Sequence, residues 1–289
     1  MEAEGTVKEL KHFIADKVTR LDLIVWLLVV GFFCGSALVM GGNLQGAFLG
    51  ASGIIVVMFL IGSSIEMIVE CLKNVKGLGT LVGFITNGPE ALCLLVGVFI
   101  TRDVLFAAST PLGSNFMNPL FLVVAALLMK SGLRVLHTYP RYTWVTVSVT
   151  VTLAVSFYLL PERIYWFWVA ATFIAATSLF VTRPREDPDA QRPSEPLAFS
   201  RIWLVPALLM LLAAGYFLDP TVQFAAEHSK ARAGIIGFLV LSTLTSWPEF
   251  KSTLALLQRN MVLAAILNVT VSNITNLWLA VAGVTWFLL

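Results

Sequence analysis

Charge is what this chain has least of. Only 12% of its residues are Asp, Glu, Lys or Arg, about half the share of a soluble globular domain, in which roughly a quarter are charged. Cysteine and histidine number three each. Cys34, Cys71 and Cys93 lie in or at the ends of apolar stretches without metal-ligand spacing, as small buried thiols do. His12, His137 and His228 fall in connections or at span ends. There is no Cys/His cluster, no nucleophile triad and no phosphate-binding glycine loop, so an enzyme has little to stand on. The net charge of +2 gives no sign of a nucleic-acid partner.

Apolar residues, at 58%, are abundant. They are organised into stretches of about 20 residues, long enough to cross a bilayer as helices. Nine are expected: 21–40, 46–72, 77–100, 103–129, 142–160, 164–182, 201–218, 234–257 and 260–288. The fold class is therefore an all-α integral membrane protein, in a plasma membrane or a bacterial inner membrane. Residues 1–20 read as a short surface helix rather than a cleaved signal, being acidic as well as basic. The longest polar connection, "TRPREDPDAQRPSEP", is a proline-rich linker with no apolar face. Lysine and arginine set the orientation: alternate connections beginning with the N-terminus hold 14, and the other set holds 4. The N-terminus and the linker 183–200 are expected in the cytoplasm, and the C-terminus outside.

Within the apolar runs one polar pattern occurs twice. "TNGPE" (86–90) is followed by "SNFMN" (114–118), and "TSWPE" (245–249) by "SNITN" (272–276). From Glu90 to Ser114 is 24 residues, and from Glu249 to Ser272 is 23. Glu90 lies on the third span and Glu249 on the eighth, which run in opposite directions. The halves thus form an inverted-topology pair, whose shared site is expected near the midplane.

An intramembrane carboxylate costs at least a few kcal/mol and marks function by default. Pro89 and Pro248 each remove a backbone donor, freeing the carbonyls of Ile85 and Leu244 beside the glutamates. Thr86 shares a helical face with Glu90, and Thr245 with Glu249. Ser114 pairs with Asn118 in the same way, and Ser272 with Asn276. These groups form an all-oxygen set, suited to Ca²⁺ or Na⁺ and not to zinc or copper.

The repeated pattern resembles the two alpha-repeats of the cation/Ca²⁺ exchanger superfamily, which includes the sodium/calcium exchangers. The resemblance covers roughly 46–130 and 201–288. It implies a first repeat at 46–182 and a second at 201–289, after an N-terminal segment and extra span at 1–45. It also implies cation ligands at Thr86, Glu90, Ser114, Asn118, Thr245, Ser246, Glu249, Ser272 and Asn276, with backbone oxygens at Gly83 and Ser242. Asn87 stands where the family has serine, still offers an oxygen and is expected as a further ligand. By resemblance, the first helix of each repeat slides over a fixed core during alternating access. The implied activity is Na⁺/Ca²⁺ antiport without a cofactor, the transported cations and the bilayer being the partners. Ca²⁺/H⁺ or other cation/H⁺ antiport, or a non-transporting scaffold, are the other readings.

Three residues stand outside that set. Lys251 points away from Glu249 and is expected to face another surface or snorkel, while Glu66 and Glu70 are expected at the cytoplasmic interface. The second repeat is truncated, with three helices after the linker where the family has five. Span 21–40 is expected beside 260–288 in place of the absent last helix. Otherwise a second protomer covers that flank, giving a homodimer.

Overall fold

The computed structural model describes residues 19–96, 98–99, 104–186, 200–231 and 242–289. The expected N-terminal surface helix and most of the linker lie outside these residues, as do 234–241 of the eighth span. Among the described residues every element is helical.

Helix α1 (Arg20–Met40) starts at a capping box, in which the Thr19 hydroxyl accepts from Asp22 N and the Asp22 carboxylate accepts from Thr19 N. It ends at Gly41, whose φ of 67° only glycine adopts cheaply. Helix α2 (Leu44–Leu72) begins at Asn43, whose side chain accepts from Gly46 N. There follow α3 (Leu78–Ile85), α4 (Gly88–Val96), α5 (Val104–Leu128), the short α6 (Gly132–His137), α7 (Pro140–Leu159) and α8 (Tyr165–Val181). Beyond the linker come α9 (Leu204–Ser229), α10 (Ser242–Thr245), α11 (Trp247–Gln258) and α12 (Val262–Leu288).

Among the described residues, seven helices are long and apolar enough to cross a bilayer. Their outer faces carry side chains that water would not tolerate in such number, among them Leu27 (72% exposed), Ile202 (76%) and Phe167 (77%). The two expected spans outside the seven are 77–100 and 234–257. Each is divided at its Thr-x-x-Pro-Glu sequence, one between α3 and α4 and the other between α10 and α11. Proline has no N–H for the carbonyl four residues back, and its ring clashes with it. The helix therefore stops at Ile85 in one case and Thr245 in the other.

Helix α12 is the centre of the molecule. It packs against α3, α5, α7, α8 and α11 and is buried without interruption from Ala264 to Ile274. A helix apolar or paired all round belongs inside. Helices α2 and α9 form the broadest interface among the described elements. Glycine makes this possible: a Cβ on Gly50 would lie 2.6 Å from the Ala225 Cα, and one on Gly46 would enter the His228 ring. The stripe Gly46, Gly50, Gly53 lets two backbones meet, as small residues do in membrane helix pairs.

Two expectations are corrected. The span read as 201–218 continues to Ser229, across Pro220. One proline removes a single hydrogen bond, and the added length carries Thr221, Ala225 and His228 onto the glycine stripe of α2. The first span packs on α2 and α9 rather than beside 260–288.

Candidate cation site

Both breaks and both Ser-Asn-x-x-Asn segments come to one place. At the first break the Asn87 side chain donates to the Gly83 carbonyl at 2.8 Å and to the Ser272 carbonyl at 3.3 Å. Its Oδ1 accepts from the Ser272 hydroxyl at 3.2 Å. Asn87 is thus a brace between α3 and α12, and the Gly83 carbonyl is one of its acceptors. The Ser272 hydroxyl also lies 3.0 Å from Glu249 Oε1 and accepts from Asn118 Nδ2 at 3.0 Å. The Ser114 and Thr245 hydroxyls meet at 3.4 Å. Every one of these contacts except Asn87–Gly83 and Ser272–Glu249 joins residues from opposite sides of the linker.

The two carboxylates are close enough to act on each other electrostatically. The Ser114 hydroxyl stands beside Glu90 and the Thr86 hydroxyl beside Glu249. Glu90 is 1% exposed and Glu249 0%, as are Thr86, Ser114, Asn118, Ser246, Ser272 and Asn276. Ser246 sits at the second break, and Phe250 N donates to its carbonyl. Ser242, the other backbone position implied by the resemblance, opens α10.

The asparagines are held in a matched exchange. Asn118 Nδ2 donates to Asn273 Oδ1 at 3.0 Å, and Asn276 Nδ2 donates to Asn115 Oδ1 at 3.2 Å. With both amide nitrogens tied to the opposite helix, Asn118 Oδ1 and Asn276 Oδ1 have no hydrogen-bond partner. Neither do both Glu90 oxygens, Glu249 Oε2, Thr86 Oγ1 and Ser246 Oγ, all buried. Buried acceptors without donors are rare and costly. So many around two carboxylates make a place of strongly negative potential. Hard cations take six to eight oxygens, mixing carboxylate, amide, hydroxyl and carbonyl, and this arrangement can supply them.

Asn115 and Asn273, which the motif's spacing alone does not mark as more than spacers, orient the asparagines of the opposite segment. Asn268 was missed. Its Nδ2 donates to the Glu249 carbonyl at 3.3 Å, to Ser252 at 2.8 Å and to Thr253 at 3.0 Å. A buried asparagine four residues before Ser272 was the available signal. Thr150, which accepts from Asn273 at 3.2 Å, carried none in a helix rich in threonine and valine.

Outside the site, Lys251 does face another surface: it is buried against Asp22 of α1. Glu70 pairs with Lys73 at 2.7 Å and with Arg259 at 3.4 Å, and Glu66 lies 3.9 Å from Arg259.

Helices that cross a bilayer around a buried, carboxylate-centred oxygen site define an integral membrane protein of the cation-handling kind. Residues 201–289 match the family model of the sodium/calcium exchanger protein, in line with the resemblance of that part of the chain to the cation/Ca²⁺ exchanger superfamily. No curated protein and no solved structure matches the chain.

Proposed function

We propose that this protein is a secondary antiporter exchanging Ca²⁺ against Na⁺ by alternating access. The carrying observation is the set of buried oxygens without hydrogen-bond partners around Glu90 and Glu249. Two carboxylates neutralise one Ca²⁺ or are shared among several Na⁺, so occupation by either cation relieves the same buried charge. Thr86, Ser246, Asn118 and Asn276 complete the shell with oxygens that have no other partner. Ser114, Thr245 and Ser272 add hydroxyls that rotate, and Asn87 positions Ser272.

The proposal takes 46–182 and 201–289 as inverted repeats joined by the linker 183–200. Nine crossings are then made, with α3–α4 and α10–α11 within the third and eighth. The matched breaks and the reciprocal asparagine bonds between α5 and α12 support the pairing of halves. The N-terminus is then cytoplasmic and the C-terminus outside, by the distribution of lysine and arginine.

The test is Ca²⁺ uptake into vesicles holding the purified protein, driven by an outward Na⁺ gradient or by a pH gradient. Uptake with Na⁺ and not with pH is expected. Uptake driven by pH alone would make the proton the coupling ion. No uptake with either gradient would overturn the antiporter assignment and leave a scaffold.

A further inference from the structure

Lys251 is two residues beyond Glu249 on α11, and it crosses a neighbouring helix to find its partner. Its ammonium lies 3.2 and 3.1 Å from the two Asp22 carboxylate oxygens. The two side chains are only 6% and 7% exposed. Asp22 is itself fixed, accepting from Thr19 N at 2.8 Å and Thr19 Oγ1 at 2.7 Å. Helix α2 packs on α1 and on α11, and so stands between the two charged residues. The lysine passes it at Gly62. A Cβ there would come within 3.3 Å of Lys251 Cε and 3.9 Å of Nζ. One helical turn to either side on the same face are Met58 and Glu66, both buried.

Nothing of this recurs in the first half. The position two beyond Glu90 is Leu92, which cannot form an ion pair. The charged pair therefore joins the ion-site helix of the second half to a span outside the repeats. Stability alone is a weak reason for it, because well-packed apolar residues often replace a buried ion pair without loss. What an ion pair threaded through a notch supplies is register.

We propose that Asp22 and Lys251 form a bolt through the Gly62 notch, locking α2 in one register against the helix that carries Glu249. While the bolt is closed, α2 cannot shift along its axis by a turn, because Met58 or Glu66 would enter the space of the lysine chain. The first span is the keeper of the bolt. Within the antiporter assignment, on which only this last step rests, the bolt sets how readily α2 moves past the ion-binding core.

Spin labels at exposed Leu49 on α2 and exposed Gln258 at the end of α11 read that register directly, with no need for transport. The variant carrying both Asp22→Asn and Lys251→Met removes the bolt without leaving a buried unpaired charge. Its distance distribution is expected to gain a population displaced by about one helical turn, roughly 5 Å, at least threefold over the wild type. The charge-reversed pair, Asp22→Lys with Lys251→Asp, should restore the wild-type distribution. An unchanged distribution in the neutral variant overturns the bolt. If that variant does not fold, Gly62→Ala carries the test: it crowds the lysine and should shift the same populations, and an unchanged distribution again overturns the proposal. Ca²⁺ flux through the wild type, measured in parallel, separates failure of the bolt from failure of the antiporter assignment.

Discussion

Asn118 and Asn276 are each held and presented at once. Their nitrogens are bonded to the opposite helix, so their oxygens have one direction left. Asn276→Asp adds a third negative charge where two stand. Two unit charges about 4 Å apart interact by about 4 kcal/mol at an effective dielectric near 20. Ca²⁺ is therefore expected to bind at least tenfold tighter and to leave more slowly, measured by calorimetry and by stopped-flow release. Unchanged affinity would reduce Asn276 to interhelical bonding. Replacing Glu249 or Glu90 by Gln keeps the shape and removes a charge; Ca²⁺ transport should fall at least 100-fold while the melting temperature without cations holds or rises. Wild-type flux in Glu249→Gln would remove that residue from the site. Protons compete for the same two carboxylates, and metal binding releases them. Ca²⁺ affinity should accordingly weaken as pH falls, which titrations between pH 8 and 5.5 would show; a flat profile would mean the carboxylates do not meet the ion.

At the scale of elements, two devices shape the site: a broken helix and a glycine stripe. Each break leaves a carbonyl, Ile85 or Leu244, that the following proline cannot satisfy. Pro248→Ala returns the N–H and favours a continuous helix through Ser246 and Glu249. A protein as stable as the wild type or more so, with flux reduced tenfold or more, is expected from vesicle assays and melting curves. Undiminished flux would mean that the break is incidental. At Gly50 the neighbour is backbone, the Ala225 Cα, which cannot rotate aside. Gly50→Val forces α2 and α9 apart, and overpacking of this kind costs about 1–3 kcal/mol. The melting temperature should drop by several degrees, whereas Gly35→Val, where a Cβ meets nothing within 4 Å, should change it little. Equal losses at both positions would discount the stripe.

For the molecule as a whole, the proposed cation site predicts that cations add to its stability. A ligand that binds only the folded state stabilises by RT ln(1 + [L]/Kd), about 2.7 kcal/mol at 100 times Kd. Ca²⁺ and, at higher concentration, Na⁺ are expected to raise the melting temperature, and K⁺ to do so far less. A melting point indifferent to all cations would favour a scaffold over a transporter. The charged pair between α1 and α11 belongs to this scale too, because it joins elements 229 residues apart around a third helix.

The sequence by itself determined the medium, the repeated motif and, among the described residues, seven long apolar helices. Hydrophobic length and the placement of Pro, Glu and Asn are local properties, readable before anything packs. Glu90 and Glu249 stand out as a pair along the chain because the same residues recur around each at nearly the same spacing. Tertiary structure alone decided which faces meet. The span expected at 201–218 runs on through Pro220 to Ser229, and its second half packs on Gly46, Gly50 and Gly53. That Asn87 braces α12 is visible only in the fold, since its partner, Ser272, is 185 residues away. Lys251 had no partner in view along the chain. It has one in the fold because Gly62 leaves room for a lysine to pass, and room is a property of packing, not of order along the chain.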